Sequence, residues 1–302
     1  MLEFAIMIEG QDGLNWDTWQ RIARTAEDAG FVGLYRSDHF SNPNPPDVDS
    51  LECWASLAWL ASRDSRLEFG PLVSPVSYRD PRQLVRMAAA LDDISGGRLY
   101  LGLGAGWQAR EHDNWGFSLG SIRERFARLR EALDIVTHLL RRDEPLTYSG
   151  TYYQVRDAVL LPRPRRAGGP RLVIGGNGKQ MSLPLAACYA DEWNAVGRTP
   201  AQYRELNAAL DDLLREAGRQ PAEVRRTMMA PIRFGRGDAQ VSERLRGEAK
   251  QAARERGILV GAGSEIRDQV AELEAAGVQR IMLQWVFLDD IEGIADLGRA
   301  LQ

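Results

Sequence analysis

Two hydrophobic periods alternate along this chain, and the alternation runs from one end to the other. Short apolar runs of strand length fall at 2–8, 31–36, 67–72, 98–104, 171–174, 192–196, within 225–234 and at 278–286. Between them the apolar positions recur at helical spacing. Trp16, Trp19, Ile22, Ala26 and Ala29 mark a helix that Gly30 stops. A short helix is predicted over 50–62. Asp80 caps the next, with Pro81 at its first position and Gln83 completing a capping box. Its apolar face is Leu84, Val85, Ala88, Leu91 and Ile94, and Gly96-Gly97 ends it. Phe126, Leu129, Leu133, Val136 and Leu140 stripe a longer helix over 121–142, and another spans 179–190. Thr199-Pro200 opens a helix with Tyr203, Leu206, Leu210 and Leu213 inward. Less regular helical sequence reaches 256. Ser264 then starts a helix that buries Ile266, Val270 and Leu273, and a last helix closes the chain.

Eight strands alternating with about eight helices predict a (β/α)8 TIM barrel in one domain, 1–302, of the α/β class. An open doubly wound sheet is the rival arrangement. Between strands 4 and 5 the pattern breaks into an insertion. It holds a hairpin over 146–155, turning at Ser149-Gly150, and a loop connector over 162–170. No repeat or low-complexity run interrupts the series.

Composition narrows the function classes. The 38 basic and 42 acidic residues leave a net charge of −4, which argues against a nucleic-acid partner. No run approaches the ~18 apolar residues of a membrane helix, and the N-terminus turns polar too soon for a signal peptide. Cys53 and Cys188 stand far apart and suggest reduced thiols in the cytoplasm. There is no HxH, HExxH or CxxC spacing for a metal, and no GxSxG elbow.

The chemistry gathers just beyond strand ends, where such barrels keep their active sites. Strand 2 stops on Asp38 and His39, one of only three histidines. An imidazole there can hydrogen-bond a cofactor ring or move a proton near neutral pH, although Asp-His can also be a structural turn. Strand 4 runs into Gly104, Ala105, Gly106 and Trp107. The segment 104–109 formally fits a dinucleotide fingerprint, but the residues after it read as a polar loop rather than an apolar helix. Small residues there let a flat ligand approach the backbone. Glu111 and His112 follow, as a second catalytic pair overhanging the opening or as a solvated loop pair. After strand 5, Gly175, Gly176, Asn177 and Gly178 precede a helix, and Lys179 adds charge. That arrangement suits a phosphate, or only a tight turn. Pro71 and Pro75 bracket an irregular end to strand 3, where Ser74–Pro75 is a candidate cis bond. Phe40 and Trp107 suggest a partly apolar substrate pocket. His138 and the tryptophans at 193 and 285 read as structural.

These pieces together resemble the luciferase-like monooxygenase superfamily, and within it the coenzyme F420 (deazaflavin)-dependent oxidoreductases. The resemblance rests on Tyr35-Arg-Ser-Asp-His-Phe40, Tyr78-Arg-Asp-Pro81 and Leu91-Asp-Asp-Ile-Ser-Gly-Gly-Arg-Leu99 running into Gly102–Trp107. Glu111-His112, Ile174-Gly-Gly-Asn-Gly178 and Ala187–Asn194 complete it. It implies a barrel with an insertion, commonly a homodimer, that binds the cofactor at its C-terminal mouth and acts on a small molecule. It implies a non-proline cis peptide within Pro71–Ser74, which would bring Val73 and Ser74 to the cofactor ring. It places Asp38 and His39 at the ring edge and the Gly-Gly-Asn-Gly loop at the cofactor phosphate. One position departs. Related sugar-phosphate dehydrogenases carry a catalytic glutamate where this chain has Trp107, which speaks against that residue scheme here. The alternatives are an FMN-dependent monooxygenase fed by a separate reductase, and a cofactor-binding barrel without catalysis.

Overall fold

The computed structural model describes residues 2–302. The elements in order begin β1 (Glu3–Ile8), α1 (Trp16–Asp28), β2 (Gly33–Arg36), α2 (Cys53–Ala61), β3 (Glu68–Pro71), β4 (Ser74–Pro75), α3 (Pro81–Ile94) and β5 (Tyr100–Gly104). Next come α4 (Ala109–Trp115), α5 (Ile122–Arg141), β6 (Leu146–Ser149), β7 (Gln154–Ala158), β8 (Arg171–Gly175), α6 (Ser182–Tyr189), β9 (Glu192–Val196) and α7 (Pro200–Glu216). The chain ends with β10 (Arg225–Phe234), α8 (Asp238–Leu245), α9 (Lys250–Glu255), β11 (Leu259–Gly261), α10 (Gly263–Ala275), β12 (Arg280–Trp285) and α11 (Glu292–Leu301).

The strands pair in parallel in the order β3-β2-β1-β12-β10-β9-β8-β5-β4. Because β3 and β4 are two halves of one interrupted strand, both ends of that path belong to the same segment. The bridge between Phe69 and Leu99 joins β3 to the residue before β5, and the sheet closes into a barrel. The interruption is Leu72-Val73, whose peptide bond is cis, whereas Ser74–Pro75 is not. The main core fills the layer between strands and helices. Ile6, Leu34, Phe69, Leu101, Ile174 and Ile281 supply one side of it and Trp19, Leu57, Leu84, Leu133 and Leu210 the other. A smaller cluster of Ala5, Met7, Tyr35, Tyr100, Val173 and Met282 fills the barrel's interior.

The N-terminal end of the barrel is plugged by charge. Arg280 is 1% exposed and reaches Glu3 (2.7 Å), the Tyr35 hydroxyl (2.7 Å) and Glu68. Glu192, also buried, accepts from Thr227 at 3.0 Å and lies 3.9 Å from Arg280. Each of these carboxylates starts a strand, so their side chains converge on one plane below the apolar interior.

Several expectations need correction. Residues 109–115 form a helix, α4, not a polar loop; Gly116 ends it in the left-handed region with φ 73°. The capping signals at its start are weak, since Gln108 makes no capping bond, which is why the pattern hid it. Ile94 lies 62% exposed at the end of α3 rather than on its buried face. A short strand, β11, pairs with the end of β10 outside the barrel path. The insertion is as expected. β6 and β7 pair antiparallel, and Glu131 of α5 holds the hairpin by accepting the N–H groups of Thr151, Tyr152 and Tyr153. No helix is long and apolar enough to cross a membrane among the described residues.

Candidate active site at the C-terminal mouth

A cavity of about 660 Å³ opens at the C-terminal ends of the strands. Its floor and one wall are apolar: Met7, Leu72, Val73, Pro75, Ala105 and Met229. Glycines make the wall thin. A Cβ on Gly104 would lie 2.4 Å from a Val73 methyl, and one on Gly102 2.1 Å from the Pro71 carbonyl oxygen. Gly106 takes φ +80° and Gly176 φ +121°, conformations open to glycine at little cost.

Of the residues singled out from sequence, His39, Val73, Gly104, Ala105, Gly106, Trp107, Gly175 and Gly176 line this cavity. His39 is held from behind. The Glu111 carboxylate on α4 lies 2.9 and 3.1 Å from its Nδ1 and accepts the Phe40 N–H at 3.1 Å. With Nδ1 engaged, Nε2 is the ring atom left to address a molecule in the cavity. Burial of the ring opposes its charge. The hydrogen bond and charge of Glu111, with Glu9 and Asp38 behind them, outweigh burial and hold the imidazole's pKa above its ordinary value. The Trp107 indole meets the His39 ring edge-on at 5.5 Å and stands 61% exposed at the lip.

The remaining expected residues take other positions. Asp38 does not line the cavity. Arg79 donates to both its oxygens (2.6 and 3.0 Å), and the Ser74 hydroxyl donates to one of them at 2.6 Å. Ser74 in turn accepts from the Trp54 indole at 3.0 Å, so it too faces away. The reason is electrostatic: a carboxylate 2% exposed requires a cation partner, and Arg79 is that partner. His112 does not line the cavity. Its Nδ1 donates to the Gln108 carbonyl and its Nε2 accepts from Ser77, both at 2.7 Å. Phe40 packs against Tyr78 (4.4 Å), Trp115 (5.1 Å) and Phe117 (6.0 Å) in an aromatic cluster outside the cavity. Asn177 ties its loop to β9, exchanging hydrogen bonds with Val196 at 2.8 and 3.0 Å. The Gly178 carbonyl accepts the N–H groups that open α6, and the Lys179 ammonium lies out at the surface, 3.8 Å from Glu205.

Sequence reasoning missed most of the polar lining. Glu9 accepts from Gln11 (2.9 Å) and Gln284 (2.6 Å), and Ser37 donates to Gln11 at 2.7 Å. Asn194 reaches from β9, and Ser182 sits at the mouth of α6 against Gly176. Arg125 of α5 donates to the Gly106 carbonyl at 2.8 Å, while its buried Nε has no protein partner. A signal was available for some of these. Glu9, Gln284 and Asn194 continue the inward period-two register of Ala5 and Met7, of Met282, and of β9. Among the described residues no group of three or more His, Cys, Asp or Glu side chains is arranged for a metal.

Comparison with known proteins places this geometry. The family model described as luciferase-like monooxygenase matches residues 3–256. The chain is 27% identical over 286 residues to an F420-dependent glucose-6-phosphate dehydrogenase of Kineococcus radiotolerans, covering 90% of this chain and 82% of that one. It is 31% identical over 203 residues to an F420-dependent hydroxymycolic acid dehydrogenase of Mycobacterium tuberculosis, covering 67% of this chain and 55% of that one. In fold it matches an F420-dependent secondary alcohol dehydrogenase solved with an F420–acetone adduct. The TM-score is 0.87 at 18% identity, over 100% of this chain and 99% of that one.

Proposed function

This chain belongs to the luciferase-like monooxygenase family, and from that membership we propose that it is an F420-dependent oxidoreductase acting on a small organic substrate. The dehydrogenases it resembles support the cofactor. The observation that carries the reading is the His39–Glu111 pair, 2.9 Å apart, on the wall of the mouth cavity.

The cavity fits the cofactor by its own features. The apolar wall of Val73, Gly104, Ala105 and Gly106 suits a flat ring, and the glycines at 102 and 104 let the Leu72-Val73 segment pack close against β5. The Ser182 hydroxyl, on the cavity wall beside Gly176, is a donor that suits a phosphate. The unpartnered Nε of Arg125 is a further donor for an anionic or carbonyl oxygen. When bound, a deazaflavin supplies hydride transfer, which leaves the protein to position the substrate and move one proton. His39 Nε2 moves that proton. Glu111 orients the ring and stabilises the imidazolium, and Trp107 shields the pair from water. The sugar-phosphate substrate of one relative does not carry over, because Trp107 stands where the resemblance puts a glutamate in the sugar-phosphate enzymes. The resemblance also favours a homodimer in one barrel domain per subunit, which light scattering would test.

The deciding experiment is a fluorescence titration of the purified protein with F420 and, separately, with FMN. Micromolar or tighter binding of F420 alone supports the reading. A preference for FMN would replace it with a reductase-fed monooxygenase.

A further inference from the structure

A second pocket, of about 590 Å³, abuts the mouth cavity on the β10, β12 and β1 side. The two share their boundary through chain neighbours. Gln11 lines the cavity and Asp12 the pocket, Pro43 the one and Asn42 the other, Gln284 the one and Val286 the other. On β10 the inward register runs Thr227, Met229, Pro231, Arg233. Met229 lines the cavity and Arg233 lines the pocket. Four residues at a rise of ~3.3 Å separate them by about 13 Å along the strand.

The charges in this pocket are unbalanced. Arg244 is taken by Asp290 and lies over Phe287, its guanidinium 4.1 Å from the ring centroid. Glu248 is taken by Arg256 at 2.7 Å. Arg233 and Arg246 have no carboxylate within ion-pair distance among the described residues. The only hydrogen bond from the Arg233 side chain goes to the neighbouring carbonyl of Ile232. Burial and then the positive charge of Arg246, with Arg256 and Arg244 further off, push the Arg233 pKa down against the pull of Glu248. Asp12, the remaining carboxylate on this wall, is pushed up to about 6 by burial and by Glu9, and it forms an ion pair with neither arginine. A half-buried guanidinium crowded by like charge is a site that gains from an anion.

We propose that this pocket holds an oxyanion at one end of the substrate, a carboxylate, phosphate or sulfonate, while His39 addresses the reacting carbon at the other end. This rests on the oxidoreductase reading and makes it narrower: the substrate is an organic acid whose charged end lies apart from its reacting carbon. Arg233 and Arg246 are then specificity residues that bind the acid and take no part in the chemistry.

The test is calorimetric titration with inorganic phosphate and with acetate, using the protein, the double variant Arg233→Gln/Arg246→Gln, and Arg215→Gln as a control. Each form is also titrated with F420. The expected result is anion binding by the unaltered protein that weakens about tenfold or more in the double variant. The control should change by no more than about twofold, because Arg215 is exposed, paired with Asp212 and remote from the pocket, and F420 affinity should be the same in all three. Equal anion binding by the double variant, displaced by F420, would seat the anion on the glycine loop and overturn the proposal. Loss of F420 affinity in the double variant would assign the arginines to the cofactor and overturn it as well. If no form binds F420 and the double variant alone loses the anion, the pocket stands and the oxidoreductase reading falls.

Discussion

Glu111 grips His39 and the backbone behind it with one carboxylate: 2.9 Å from Oε1 to Nδ1, and 3.1 Å from Oε2 to the amide nitrogen of Phe40. A planar group bound at two points fixes the ring's orientation and assigns the proton on Nδ1, so Nε2 faces the cavity as the working atom. Since α4 carries Glu111 and β2 leads into His39, the pair also pins a helix to the barrel.

Removal of the ring therefore differs from removal of its support. His39→Ala lowers turnover by ~10²-fold or more, the scale of an acid–base group. Glu111→Gln keeps the shape, loses the charge, and lowers turnover less, by about tenfold. Its pH profile moves to lower pH, because the imidazolium has lost its main partner. Turnover by His39→Ala close to that of the unaltered enzyme, with the substrate that an F420 screen returns, would remove His39 from the mechanism.

The same pair links stability to pH. The folded-state pKa of His39 lies above its unfolded value, so the folded protein binds this proton more tightly than the unfolded chain does. The stabilisation is complete below the unfolded pKa of about 6.5 and fades as pH rises through the folded value. Thermal melts across this range should show the gap between the unaltered protein and Glu111→Gln narrowing as pH increases. A gap that widens with pH would mean that the ring is neutral when folded.

Arg79→Ala strands a buried carboxylate. Asp38 is 2% exposed, and its other partner is only the Ser74 hydroxyl. Loss of one member of such a pair costs about 3 kcal/mol or more in denaturant unfolding. F420 affinity should stay within about twofold, because neither residue lines the cavity. A collapse of affinity with unchanged stability would return Asp38 to the ring edge.

Ser182→Ala separates the two ends of the cofactor. A hydroxyl bonded to a charged phosphate contributes about 1.5–3 kcal/mol, so F420 should bind at least about tenfold more weakly. A deazaflavin that lacks the phosphate arm should bind both forms equally. Equal loss for both ligands would mean that the variant disturbs the cavity as a whole.

The sequence showed the architecture better than the site. Strands and helices repeat their period over many residues, and caps such as Asp80-Pro81 and Thr199-Pro200 sharpen the boundaries. Seven residues of α4 offer no such average, and their buried members are Glu111 and His112, which read as polar. In the site, His39, Trp107 and the glycines declared themselves by type and by their place after a strand. Asp38 misled because an acid beside a histidine suggests a shared ligand, and its partner Arg79 comes 41 positions later. Ser182 and Arg125 remained unseen because their roles come from the elements that face them, and a linear pattern carries no such information.

The charged plug of Arg280, Glu3, Glu68 and Glu192 makes the barrel a vessel closed at its base and entered from the C-terminal side. Whatever lies deepest must arrive first and depart last, and product has to retreat along the path by which substrate came. Under the proposed reading this imposes an order of addition, cofactor before substrate. Excess substrate then holds spent cofactor in place, so the rate of cofactor exchange falls as substrate concentration rises.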